Sequence, residues 1–399
     1  MRAAKKSKAC HSCAKGKRRC DKAQPICGRC DELDLECRYP QRRRRRPQDP
    51  TANHHRDDGA QGLSTLNRLE SPEPLDLDQL LGRPAQDHWF LGPDSWTISH
   101  LPSNVPPFSS AVFSNFTRGL NIWLKQWVDN GQNPFIHHQL YAESGLPKCM
   151  RDAYTSIAVH STQTESNEAL VFQVLEANAG SLVTSHTLDT NPGLDTRQHL
   201  ARTQALFVHL AIALFSSPIR TRGQAERHIP LFMNWLDQLW ESATRDLETA
   251  SHPLLGNSAN QEPRGPEIDI FFDGDPAPRL WRMWVVAESV RRIWLIGTMT
   301  VGIYLTLQRG SSKCNGGARF TARGDIWAAE SAVAWSKLVK EQDPLFLPSL
   351  DCSELFTRTR APEVDEFAKH LLTVMYGLER VESWIARTTV SEDALGIFF

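Results

Sequence analysis

Cys10-His-Ser-Cys13-Ala-Lys-Gly-Lys-Arg-Arg-Cys20-Asp-Lys-Ala-Gln-Pro-Ile-Cys27-Gly-Arg-Cys30-Asp-Glu-Leu-Asp-Leu-Glu-Cys37 is the stretch that decides how the chain begins to fold. Shifting Cys10, Cys13 and Cys20 by 17 residues lands them on Cys27, Cys30 and Cys37, so one unit, C-x2-C-x6-C, is written twice. Each C-x2-C can close two thiolates on one metal, the usual bite of a zinc loop. Zinc takes four ligands in a tetrahedron, so two ions offer eight positions to six sulfurs. The count balances when two sulfurs, one from each half, bridge both ions. A pseudo-twofold site with two Zn²⁺ as cofactor is therefore expected, held by Cys10, Cys13, Cys20, Cys27, Cys30 and Cys37.

Metal is also what this segment needs in order to fold. Its larger apolar residues are few, Ile26, Leu33, Leu35 and Tyr39, and so small a segment cannot bury enough surface to order itself. A structural zinc supplies roughly 10–16 kcal/mol in finger peptides near neutral pH. Three disulfides would fit a secreted protein, but the opening Met1-Arg-Ala-Ala-Lys-Lys-Ser-Lys8 has no apolar stretch behind its charges, so reduced thiols are expected. Cys149, Cys314 and Cys352 share no spacing and read as inert.

The formal net charge of -1 averages two unlike parts. Residues 1–48 hold 16 Lys and Arg against 5 Asp and Glu, whereas residues 49–399 hold 29 against 41. A basic head on an acidic body points to a nucleic-acid partner for the head. The two halves of the cysteine unit divide the charge further. The first insert, Ala14-Lys-Gly-Lys-Arg-Arg19, has four cations; the second, Asp31-Glu-Leu-Asp-Leu-Glu36, has four acids. Only the first half can approach a phosphate backbone productively. The spacing leaves room for a short helix in each half, and residues 12–19 would display Lys15, Lys17, Arg18 and Arg19, the expected DNA-contacting set.

Residues 10–39 resemble the fungal-type binuclear zinc-cluster family of transcription factors, which place a helix in the major groove. Beyond the cysteines the likeness includes Lys17, Pro25, Arg29 and Tyr39. It implies that Cys10 and Cys27 are the bridging sulfurs and that Lys17 reads guanines of a CGG-type triplet, by donation to O6 and N7. Ala14 and Gly16 stand where many members carry basic residues, which puts some phosphate contacts in doubt but leaves the fold intact. The run Arg42–Arg46 suits phosphate tracking, nuclear import or both.

Three regions are expected: a two-helix zinc domain over 1–40, a basic arm and disordered linker over 41–110, and a mostly α-helical regulatory domain over 111–399. Within the linker, Glu70–Leu81 alternates acid and leucine, the composition of an activation segment or of an ordinary acidic linker. No a/d heptads are sustained there, and Pro72, Pro74 and Pro84 would break them, so a coiled coil is unsupported. Farther on, Pro362 reads as the start of one helix carrying the stripe Val364, Phe367, Leu371, Val374, Leu378, Val381 and Ile385. A second stripe follows Pro230 through Phe232, Trp235, Leu239, Ala243 and Leu247. Leu200–Phe215 and Leu280–Leu307 are apolar on most sides and should be central; strands are scarce, with loops near 251–278 and 308–324. The longest apolar run, Ile293–Leu307, is short of a membrane span.

The expected function is a nuclear, sequence-specific transcription factor with double-stranded DNA and co-regulators or transcription machinery as partners. A homodimer is left open. Cys314–Trp327 looks similar to regulators of secondary-metabolite gene clusters; its Arg323-Gly-Asp325 tripeptide reads as coincidence. The alternative is an enzyme or metabolite-sensing protein with a zinc targeting module. Against catalysis, the chain lacks H-E-x-x-H, G-x-x-x-x-G-K-[ST], G-x-S-x-G and G-x-G-x-x-G. The pairs His54-His55 and His137-His138 lack ligand spacing and read as surface residues.

Overall fold

A computed structural model describes residues 13, 19–21, 27–33, 37, 89–101, 108–187, 193–216, 218–255 and 277–389. It divides the chain into two units, Met1–Glu73 and Pro74–Phe399. In the first unit the described helix is α1, Gly28–Glu32. The second unit is built from α2 (Ser110–Asn130), α3 (Lys148–Ser161), α4 (Glu168–Thr187), α5 (Thr196–Ser216), α6 (Ile219–Leu255), α7 (Ala277–Arg309), β1 (Arg319–Thr321), α8 (Gly324–Trp327), α9 (Ala332–Glu341), β2 (Phe346–Pro348), α10 (Leu355–Arg358), α11 (Glu366–Tyr376) and α12 (Leu378–Thr389).

The two segments apolar on most sides are the central helices. In α7 nearly every residue from Trp284 to Ile296 is buried. A helix with no polar face has no solvent side, and α7 is covered by α5, α6, α9 and β1. The helix α5, from Leu200 to Leu214, is buried almost continuously between α3, α6 and α7. Among the described residues, strand structure is confined to the antiparallel pair β1–β2, registered Phe320 to Leu347, and isolated bridges. The ends of the helices follow local chemistry. Ser109 accepts from Val112 N–H and Asp365 from Ala368 N–H, while Gly131, at φ 73°, closes α2.

Three sequence expectations need correction. The stripe from Val364 to Ile385 is two helices, not one: Gly377, at φ 87°, separates α11 from α12, and Pro362 lies in a 3₁₀ turn, Ala361–Glu363. The second stripe lies on α6, which continues through Pro230, where burial of Phe232, Trp235 and Leu239 outweighs the proline's lost hydrogen bond. Residues 89–101, grouped by composition with the linker, belong to the body. Phe90 and Trp96 are fully or nearly fully buried, and Ser99 pairs with Gly317. Finally, His137 is 1% exposed rather than on the surface. Its Nδ1 accepts from Gln139 N–H, and it packs edge-on against Trp327; burial lowers its pKa to about 3. His138 is half-buried, and the pair His54-His55 lies outside the described residues.

The stretch from Cys314 to Trp327 has a structural reading of its own. Asn315 donates to Thr298 O at 2.9 Å, and a Cβ at Gly317 would lie 2.4 Å from Leu350, so the glycine permits a close approach. Arg323 is held by Asp343 O and Gln342.

Candidate metal centre

Two triads of sulfur converge in the N-terminal unit. The Sγ atoms of Cys13, Cys20 and Cys27 lie within 4.8 Å of one another, and so do those of Cys27, Cys30 and Cys37. Cys27 belongs to both. It is fully buried, Cys13 and Cys30 nearly so, and Cys20 and Cys37 partly. Among the described residues of this unit the buried side chains are cysteines, and Leu33 is 54% exposed.

The spacing of these sulfurs fits a metal. Cys13 Sγ and Cys27 Sγ are 3.7 Å apart. A disulfide would hold them at about 2.05 Å. Two thiolates on a tetrahedral zinc, with Zn–S of about 2.3 Å, stand roughly 3.8 Å apart. A seven-residue span of Cys20–Cys27 and Cys30–Cys37 brings each third cysteine back to its own C-x2-C pair or to Cys27. The helix α1 fixes the second pair: Cys30 N–H donates to Cys27 O at 2.9 Å, one turn apart.

Backbone donors complete the site. Cys27 N–H donates to Cys37 Sγ at 3.3 Å, the kind of contact that steadies a metal-bound thiolate. Gly28 N–H donates to Asp21 Oδ2 at 3.0 Å, tying the start of α1 to the residue after Cys20. Sequence alone does not single out Asp21; the available signal is its position directly behind a cysteine. Arg19 is exposed. Cys10, Lys15, Lys17 and Arg18 lie outside the described residues.

The other cysteines have different surroundings. Burial pushes the Cys149 thiol up to about 11 and the Cys352 thiol up to about 12, so both are protonated at neutral pH and poor metal ligands.

Residues 8–46 match the family model of the fungal Zn(2)-Cys(6) binuclear cluster domain. The chain carries a binuclear zinc-cluster domain. Such a domain binds two zinc ions, the number that the shared sulfur of Cys27 accommodates. Over 96% of its length the zinc-cluster chain is also 25% identical to "Transcription factor gsfR2" of Penicillium aethiopicum, of which it covers 95%. No solved structure matches it significantly. Among the described residues, no helix is long and apolar enough to cross a membrane.

Proposed function

We propose that the chain is a nuclear DNA-binding transcription factor and not an enzyme, with its zinc-cluster domain docking one cationic half into the major groove. The observation that carries this reading is the sharing of Cys27 between two sulfur triads within a matched binuclear cluster domain. One ion is assigned to Cys10, Cys13, Cys20 and Cys27, the other to Cys27, Cys30, Cys37 and Cys10. Each triad then gains its fourth ligand from Cys10, the pseudo-twofold mate of Cys27. The zinc ions hold the loops in shape; recognition falls to the protein's own side chains.

Six thiolates and two Zn²⁺ carry a net negative charge, yet the 16 basic residues of the head keep it strongly cationic. Lys17 is assigned to the guanines of a CGG-type triplet, and Lys15, Arg18 and Arg19 to phosphates and groove edges. The Arg42–Arg46 run serves nuclear import and phosphate tracking. Similarity over 314–327 supports secondary-metabolite genes as targets. The full-length relative supports a regulator, since its name is that of a transcription factor.

The test is binding of the full chain to a CGG-containing duplex and to a scrambled duplex, with and without a zinc chelator. Preference for the CGG duplex, abolished by chelation and restored by Zn²⁺, is expected. Binding that ignores either the triplet or the metal would overturn the reading. An occupancy map across the genome checks the assigned targets.

A further inference from the structure

The regulatory body contains a cavity of about 350 Å³ where α4, α5 and the first turns of α6 meet. Small side chains open it: Ala179, Gly180, Ala213 and Ala225 stand where larger residues would close the crossing. A volume of this size lies within the range of roughly 300–1,000 Å³ that holds small organic molecules. Its walls are chiefly apolar, with Leu175, Leu210 and Ile212 almost fully buried.

A few polar groups converge on this apolar space. Thr221 hydroxyl donates to Glu176 Oε1 at 3.1 Å across the rim from α6 to α4. His209, on α5, is 6% exposed, and its Nε2 is shut off from solvent with no hydrogen-bond partner among the described residues. His228 stands on the opposite wall. A buried ring nitrogen without a partner carries a desolvation cost that a hydrogen bond relieves, and His209 is the ring among the cavity's lining residues that has such a nitrogen. Burial lowers the His209 pKa to about 4, which leaves the imidazole neutral at pH 7.

The charge balance limits what can enter. An anion would meet the Glu176 carboxylate, and the arginine among the lining residues, Arg227, is exposed at the mouth. A hydroxyl group suits the walls as a donor: it can donate to an imidazole nitrogen or to Glu176, whereas the Thr221 proton is already given to Glu176. We propose that this cavity between α4, α5 and α6 is a binding site for an uncharged, mainly apolar small molecule bearing a hydroxyl group, with His209 as its buried hydrogen-bond partner. It goes beyond the DNA-binding reading and stands without it, because no residue of the zinc-cluster domain takes part.

The test titrates the full chain at neutral pH with 2-naphthol, naphthalene and 2-naphthoate, read by calorimetry. Saturable one-to-one binding of 2-naphthol is expected, with 2-naphthoate at least about tenfold weaker. His209→Phe keeps an aromatic ring and removes the unpartnered Nε2 together with Nδ1, so the protein should fold, which its thermal melting curve checks. In that variant 2-naphthol should weaken about three- to tenfold, the worth of one net hydrogen bond, while naphthalene is unchanged. Ala213→Trp fills the space and should abolish binding of all three; should that variant not fold, His209→Phe decides. No saturable binding at millimolar probe, equal losses for 2-naphthol and naphthalene, or undiminished binding to folded Ala213→Trp would each overturn the site.

Discussion

The N-terminal unit and the helical body solve the same problem with opposite materials. One has a centre of sulfur and leaves Leu33 exposed; the other buries tryptophan and phenylalanine throughout and even swallows two adjacent arginines. A small segment lacks the area for a hydrocarbon core and borrows order from metal. The body has area to spare, and at Arg292 it tolerates buried charge by pairing it. Arg292, at 0% exposure, bonds Glu288 at 3.1 Å and Asp365 at 2.5 Å, and donates to the carbonyls of Pro134 and Thr321. Its guanidinium also lies 3.9 Å over the Trp327 ring. Neighbouring Arg291 has no carboxylate partner among the described residues; it donates to Phe90 O and Ser95 Oγ and lies 4.1 Å over Trp96.

The difference should be sharpest when the metal is removed. All twelve tryptophans lie at or beyond Trp89, so their fluorescence reports the body alone. Cys27→Ala removes the sulfur common to both triads and should release both ions, forfeiting most of the roughly 10–16 kcal/mol that structural zinc contributes. Cys37→Ala should perturb chiefly one. Native mass spectrometry of the full chain counts the ions, and the tryptophan melting curve should not move in either variant. A shift in that curve would show that the two units depend on each other, and one ion retained in Cys27→Ala would remove its bridging role.

Acid should act on the body through its histidines. His137 is lowered to about 3, and His209 and His370 to about 4, by burial first in every case. His370 is sandwiched near Phe116 and Trp123, with Gly119 leaving room for its ring. The unfolded chain takes up protons near pH 6.5 that the folded body refuses, so stability falls as pH drops from about 6.5 toward 4. The loss is on the order of 3 kcal/mol for each buried histidine across that window. Denaturant midpoints followed by tryptophan fluorescence check it; a flat profile from about pH 6.5 to 4.5 would mean that these rings are solvated. Next in size, Arg292→Met leaves two buried carboxylates uncompensated and should cost about 3–5 kcal/mol. Arg291→Met should cost less, since it strands only a carbonyl and a hydroxyl. Equal losses would erase the distinction between the two arginines.

How much of this was legible depends on whether the signal is local. The sulfur site was, because C-x2-C-x6-C written twice carries its own stoichiometry, and the central helices were, because α5 and α7 are apolar on most sides. The break at Gly377 was hidden since the apolar spacing of three and four continues across it, and only the positive φ interrupts the helix. Trp96 and Phe90 were hidden among prolines; what retains them is Arg291, far away along the chain. The Glu288–Arg292–Asp365 network is likewise assembled from α7, β1 and the cap of α11, and no window of sequence contains it. The cavity beside His209 depends on three helices crossing at alanine and glycine, residues that say nothing until their partners are known.

The smallest expected effect is also the one that tests what the sulfur-centred unit is for. Lys17→Ala should cost about 1–3 kcal/mol on the preferred triplet and relax specificity there, leaving affinity for scrambled duplex nearly unchanged. Deleting Arg42–Arg46 should instead weaken both duplexes alike and flatten the dependence of affinity on salt, by about 0.9 in slope for each phosphate that is no longer neutralised. The two changes remove the same sign of charge from the same unit, so bulk attraction alone would make them behave alike. If Lys17→Ala loses equally on both duplexes, that lysine meets phosphate and the triplet is read by Lys15, Arg18 or Arg19. If only the arginine deletion moves the salt slope, then the short cationic half holds its place by geometry that the zinc ions set, and the arm supplies the long-range pull.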